Sequence, residues 1–147
     1  MLKRLCADNF RCLTNFDLTL DEANTLLGAN GTGKTSVLTA VRRIERLVVG
    51  GAEVDDVFPA RDLTLSGNRG EQRFEIQSRF SGHTYDYALT IEHDRDRGRM
   101  RIDTETLAHD GRPIFEFRRG EAQLYHDDYE AGPAYPIDWT LGNWNFA

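Results

Sequence analysis

Cysteine is scarce in this chain: Cys6 and Cys12 are the only two among 147 residues. On one extended segment their Cα atoms would lie roughly 20 Å apart at about 3.3 Å per residue, far beyond bridging distance. A disulfide framework is therefore excluded, and both read as free thiols. Long apolar runs are missing as well; none approaches the ~20 residues that a membrane-spanning helix needs. The start Met1-Leu2-Lys3-Arg4-Leu5-Cys6 reaches Asp8 before any signal-peptide core can form, so the chain is expected in the cytoplasm and away from membranes. There is no excess of positive charge: 18 Lys and Arg against 24 Asp and Glu leave a net charge of −6, which argues against an overall attraction to nucleic acid. A local basic face remains open to Arg42, Arg43 and Arg46, although a solvated helix side is the simpler expectation. His83, His93, His109 and His126 lack the i, i+4 pairing or the cysteine spacing of a metal site and are read as surface or strand residues. No Gly-x-Ser-x-Gly elbow points to nucleophilic catalysis.

A hydrophobic fraction of 39% beside 29% charged residues is that of a globular domain able to bury a real core. Residues 1–10 read as one strand, and the alternation through Asn15-Phe16-Asp17-Leu18-Thr19-Leu20 reads as a second, half-buried one. Residues 51–71 form an irregular connector that Val54, Val57 and Phe58 are expected to pin to the core. From Gln72 onward short alternating segments are separated by Ser81-Gly82, by residues 94–98, by Asp110-Gly111 and by Gly120, the pattern of an antiparallel meander. The organisation expected is residues 1–50 as strands, loop and first helix, 51–71 as connector, 72–126 as meander and 127–147 as an irregular tail, all in one lobe of one domain.

Chemistry is concentrated in Gly28-Ala29-Asn30-Gly31-Thr32-Gly33-Lys34-Thr35, which fits the phosphate-binding pattern G-x-x-x-x-G-K-[ST] at every fixed position. Glycines allow the backbone to wrap closely around a phosphate, and the helix that follows adds its positive N-terminal end. Asn30, Gly31, Thr32, Gly33 and Ser36 are the expected cradle, Lys34 the counter-charge to the β- and γ-phosphates, and Thr35 the hydroxyl ligand of Mg²⁺. The flanks agree with the motif. Asn24-Thr25-Leu26-Leu27 reads as a buried parallel strand entering the loop; Val37, Leu38, Val41, Ile44 and Val48 recur at helical spacing, and Gly50-Gly51 supplies a stop.

Interleaved parallel strands and helices would suggest a kinase, but one helix followed by hairpins does not. With Asn9-Phe10-Arg11-Cys12-Leu13, then Phe16-Asp17-Leu18, then residues 27–38 around the loop, the chain resembles the N-terminal lobe of ABC-type ATPases of the SMC, recombination protein F and overcoming-lysogenization-defect (OLD) group, with the AAA-type ATPases around them. The specific part of the resemblance covers residues 9–38. It implies an α/β phosphate-loop NTPase lobe carrying an antiparallel β-meander, an incomplete ABC-type head that binds ATP with Mg²⁺. It further implies a homodimer or hetero-assembly of heads, possible DNA in the complete assembly, and work in DNA repair, chromosome maintenance or phage defence. By the same resemblance Arg11 would lie beside adenine or phosphate; an exposed arginine at a strand end is the plain alternative.

Three stretches imitate later motifs of that group. Leu65-Ser66-Gly67-Asn68-Arg69-Gly70 looks like a signature but leads into an alternating segment; Leu18-Thr19-Leu20-Asp21-Glu22 and Leu124-Tyr125-His126-Asp127-Asp128 look like apolar strands ending in acids. All three are read as ordinary strand and turn sequence, so no catalytic residue is assigned, and turnover by this chain alone is expected to be slight, with Glu22 and Asp128 the first carboxylates to suspect otherwise. Two alternatives stay open. One is a non-hydrolysing nucleotide- or partner-binding module from a split or truncated ATPase. The other is a phosphate-loop kinase or GTPase, which the lack of an Asn-Lys-x-Asp motif and of a recognisable lid disfavours.

Overall fold

The computed structural model describes residues 1–64, 69–94 and 96–125, together with the strand backbone of residues 135–137. The strands are β1 (Leu2–Asp8), β2 (Phe16–Thr19), β3 (Glu71–Phe80), β4 (His83–Asp94), β5 (Arg99–His109), β6 (Arg112–Arg118), β7 (Glu121–Leu124) and β8 (Tyr135–Ile137). The helices are α1 (Lys34–Val48) and α2 (Val54–Val57), with a short 3₁₀ turn at Ala60–Asp62. Among the described residues every strand pairing is antiparallel, in one sheet of order β2-β1-β3-β4-β5-β6-β7-β8. Three hairpins of the meander close on two-residue connections whose residues both take positive φ: Ser81-Gly82 at 50° and 88°, Asp110-Gly111 at 48° and 77°, Arg119-Gly120 at 50° and 92°. That is the type I′ geometry, whose twist matches the flanking strands.

Register puts the apolar residues on one face. Leu5 lies opposite Ile76 and Ala7 opposite Phe74, while Phe74 in turn faces Leu89 and Gln72 faces Ile91. Against this face α1 buries Val37, Ala40 and Ile44, and the segment around α2 buries Val57 and Phe58. Phe10, Phe58 and Phe74 meet as a ring cluster, with centroids 5.4 Å apart for Phe10–Phe74 and 4.9 Å for Phe58–Phe74. Farther along the same face Tyr87 donates its hydroxyl to Glu105 at 2.7 Å. Burial raises the pKa of both groups.

A buried polar knot ties the end of β1 to the connector. Asn9, at φ 57°, turns the chain left-handed and is 2% exposed. Its amide donates to the carbonyls of Arg69 (2.9 Å) and Glu71 (2.7 Å) and accepts the Thr64 N–H at 3.2 Å. Gln72, fully buried, donates to the carbonyls of Asn9 (3.0 Å) and Asp62 (3.2 Å), and its own oxygen meets His93 Nε2 at 2.9 Å. The side-chain amides of Asn9 and Gln72 are matched at both nitrogen and oxygen, as a buried polar cluster requires.

Several sequence expectations change. Asn24-Thr25-Leu26-Leu27 is not a strand: it joins no ladder, and Leu27 is 87% exposed. Among the described residues β2 is the edge strand on that side, and residues 24–27 do not pair with it. Asn24 is instead drawn into a local turn, accepting the Asp21 N–H at 3.0 Å and donating to the Asp21 carbonyl at 2.8 Å. Leu38 and Val48 face outward from α1, whose buried stripe is Ser36, Val37, Ala40 and Ile44. Cys6 and Cys12 are free thiols, but the chain turns between them at Asn9, so they do not share one extended segment. Leu65 to Asn68 and the tail from His126, Asp127 and Asp128 onward lie outside the described residues, apart from the strand at 135–137.

Asn9→Ala should lower stability by about 2–3 kcal/mol, since it leaves buried backbone groups unmatched and places a Cβ-bearing residue without a polar side chain in the left-handed region. Asn9→Gly should lose less, because glycine keeps the turn. Urea unfolding of both variants checks this; equal losses would mean that the turn contributes nothing separable from the amide.

Candidate functional site

The segment 28–33 runs over the N-terminus of α1. Gly33 is the residue before the helix, at φ 98°, and a Cβ there would stand 3.1 Å from Cys12 Sγ. At Gly28 a Cβ would stand 2.7 Å from Thr32 Oγ1. Close approach to Thr32 favours glycine at 28, and the left-handed φ favours it at 33. No side chain caps α1, and its first turn holds no acidic residue, so the helix presents uncompensated N–H groups and the positive end of its dipole. Lys34 Nζ folds back over the loop and donates to the carbonyls of Gly28 (2.5 Å) and Ala29 (2.7 Å). Thr32 Oγ1 donates to the same Ala29 carbonyl at 3.0 Å.

The residues singled out by sequence are distributed unequally around this loop. Asn30, Gly31 and Thr32 are exposed at its tip, Thr35 is exposed on the first helical turn, and Lys34 is half-buried. Ser36 is only 8% exposed, its hydroxyl 3.4 Å from Cys12 Sγ, so it faces the core side of the helix. Arg11 is brought to α1 by the turn after β1: its NH1 donates to Thr39 Oγ1 at 3.3 Å, and Thr39 Oγ1 donates to the Thr35 carbonyl at 2.6 Å.

Arg11 is not a loose arginine at a strand end. Its Nε donates to Asp62 Oδ1 at 2.8 Å and its backbone N–H to the Asp62 carbonyl at 2.6 Å. Arg43 NH1 donates to the other carboxylate oxygen of Asp62, whose side chain is 8% exposed. Both guanidiniums lie 5.5 Å from the centroid of Phe10. Burial alone would push the Asp62 carboxyl upward, but the hydrogen bonds from Arg11 and Arg43 outweigh it and leave its pKa below the ordinary carboxylate value. Arg43 therefore belongs to this clamp, where sequence suggested a solvated helix face. Asp62 and Thr39 carry no sequence signal at all; only a spacing to Arg11 that the chain does not display could have found them.

Leu18 and Thr19 lie in β2, with Asp21 and Glu22 exposed beyond it, and Glu71 opens strand β3 directly after Arg69-Gly70, where a signature would need a helix. A wide groove lies on the helix-free side of the sheet, lined by Arg4, Asp8, Asp17, Arg69, Arg73 and Glu75 among others. Arg4 pairs there with Asp17 at 2.6 Å and Arg69 with Asp8 at 2.9 Å, and no residue of 28–36 lines it.

Residues 1–108 match the family described as AAA ATPase domain. The chain belongs to that family. Over 60 residues this AAA-type chain is 45% identical to an OLD nuclease of Thermus scotoductus, a stretch that is 41% of the chain and 10% of that protein's length. The likeness to AAA and OLD-type ATPases is thereby carried both by the family and by a relative. No helix among the described residues of this AAA ATPase domain is long and apolar enough to cross a membrane.

Asp62→Ala strands two guanidiniums against the core and should destabilise the domain by about 2–3 kcal/mol at pH 7, below the range of fully buried pairs because Arg11 is partly solvated. A depressed native pKa means that the carboxylate's contribution is present above the unfolded pKa of about 4 and is lost as pH falls through the native value. The gap between wild type and variant in urea should therefore narrow in acid. A gap independent of pH between 7 and 3 would show that the ion pairs do not hold the clamp.

Proposed function

We propose that this chain binds ATP together with Mg²⁺ through residues 28–36, as the phosphate-loop lobe of an ABC-type ATPase of the SMC, recombination protein F and OLD kind. The observation that carries the proposal is Lys34 lying across the loop's own carbonyls above an uncapped, acid-free helix N-terminus. An ammonium held by two carbonyl oxygens is poised to exchange them for phosphate oxygens, which bind it more strongly because the hydrogen bonds become charge-assisted on both sides.

The residues fit the nucleotide in kind. Amides of residues 31–35 would meet the phosphates, and the exposed Thr35 hydroxyl would supply the protein ligand to an otherwise hydrated Mg²⁺. Arg11, aligned by Asp62 and touching Thr39 one turn along α1, would stand at the edge of the nucleotide. Bound Mg²⁺ would neutralise charge on the β- and γ-phosphates; the chain's own groups bind and orient.

In the complete protein the reading is ATP hydrolysis by paired heads, coupled to DNA repair, chromosome maintenance or phage defence in the cytoplasm, and the OLD nuclease relative favours the DNA-directed roles. A second reading, a module that binds nucleotide and a partner chain without turning over by itself, is favoured by one observation. Leu26 and Leu27, 37% and 87% exposed, stand unladdered at the entry to the loop, where a strand from outside the described residues would pair and cover them.

Lys34→Ala should weaken binding of a non-hydrolysable ATP analogue at least about tenfold, the value of one charged hydrogen-bonding group. Calorimetry with and without Mg²⁺ measures it, and unchanged affinity would remove the loop as the site. Phosphate release by the chain alone should stay near the Lys34→Ala background. Robust turnover dependent on Lys34 would favour the first reading over the second.

A further inference from the structure

At the opposite end of β4 from His93, roughly 30 Å along a strand at about 3.3 Å per residue, two histidines and an aspartate converge on the β5–β6 turn. His83 opens β4, His109 closes β5, and Asp110 begins the turn. His83 Nδ1 lies 2.7 Å from Asp110 Oδ2 and His109 Nε2 lies 3.5 Å from the same oxygen. One ligand atom from each residue falls within 4.8 Å of the other two. We propose that His83, His109 and Asp110 form a binding site for a divalent transition-metal ion of the zinc class, separate from the nucleotide loop and its Mg²⁺.

The geometry fits such an ion. Donors 2.0–2.1 Å from a tetrahedral centre are about 3.3 Å from one another, and the separations seen bracket that value, so the site closes by small side-chain rotations. The surroundings already orient the donors. Asp110 Oδ1 accepts the Thr84 N–H at 2.8 Å while the Asp110 N–H donates to the Thr84 carbonyl at 2.8 Å, which turns Oδ2 toward the imidazoles. The His109 ring stacks on Tyr85, its cross-strand neighbour, at 4.9 Å between centroids and 17° between planes. Outer contacts of this kind hold metal ligands in place.

The donor set also selects the ion. Two imidazole nitrogens and one carboxylate suit zinc, cobalt or nickel, whereas Mg²⁺ prefers carboxylates and water. The two rings stand with centroids 4.8 Å apart, and a nitrogen of each lies near the same Asp110 oxygen. A metal ion takes both rings as neutral donors. His83 and Asp110 are about half exposed, at 53% and 49%, so the remaining coordination positions face solvent. Bound metal would clasp the start of β4 to the β5–β6 turn.

The test is titration of the untagged full chain with zinc chloride in the presence of excess Mg²⁺, followed by calorimetry and by thermal unfolding. One ion per chain with micromolar affinity is expected, together with a rise in unfolding temperature. His83→Ala and His109→Ala should each weaken zinc binding at least tenfold and abolish the rise. Because His109 packs on Tyr85, a folding defect there leaves the decision to His83→Ala, whose side chain is half exposed. Absence of saturable zinc binding overturns the proposal. So does binding that His83→Ala leaves intact, which would place the ion on Cys6, Cys12 or the other histidines.

Discussion

One residue, Asp62, joins four parts of the chain. Its carboxylate accepts from Arg11 and Arg43, and its carbonyl accepts from the Arg11 N–H and from Gln72. The turn after β1, the helix behind the loop, the connector and β3 are therefore fastened at a single point. Nearly all of the carboxylate is withdrawn from water, so its charge must be matched where it stands. Two guanidiniums do this from different elements, and neither can move without exposing the need of the other.

The loop inherits its position from that clamp. With the turn fixed, Cys12 reaches the start of α1, where a Cβ at Gly33 would stand tightly at 3.1 Å from its Sγ. The same contact turns Ser36 toward the core and leaves Thr35 facing outward. The Asn9-Phe10-Arg11 run thereby acquires a division of labour: Asn9 closes the connector, Phe10 fills the core between Phe58 and Phe74, and Arg11 meets Asp62 and Thr39.

Features set by a few adjacent residues were legible in the sequence. The glycine-rich loop, the helix after it and the hairpins at Ser81-Gly82 and Asp110-Gly111 each depend on local backbone chemistry. The strand expected at Asn24-Leu27 depends on a neighbour, and no local pattern reports whether one is present. Charge partners are hidden for the same reason: Arg11 and Asp62 are 51 positions apart, His83 and Asp110 are 27 apart. Arg43 shares the sequence pattern of its solvated helical neighbours and is set apart only by the connector beside it, and strand register, not spacing along the chain, brings two of the histidines together.

The two-residue turns of the meander also bear on the order in which the domain can assemble. The β3–β4, β5–β6 and β6–β7 hairpins close on two residues each and β4–β5 on four, so β3 to β7 can zip from contacts near in sequence. The knot at Asn9 and Gln72 instead joins residues 63 positions apart, and its closure entropy must be met before any of its hydrogen bonds form. Formation of the meander first shortens that search, because it presents Gln72 and His93 already side by side on neighbouring strands. The distant half of the molecule is in this sense a template, and the glycine-rich loop is the part of the chain whose shape must wait for it.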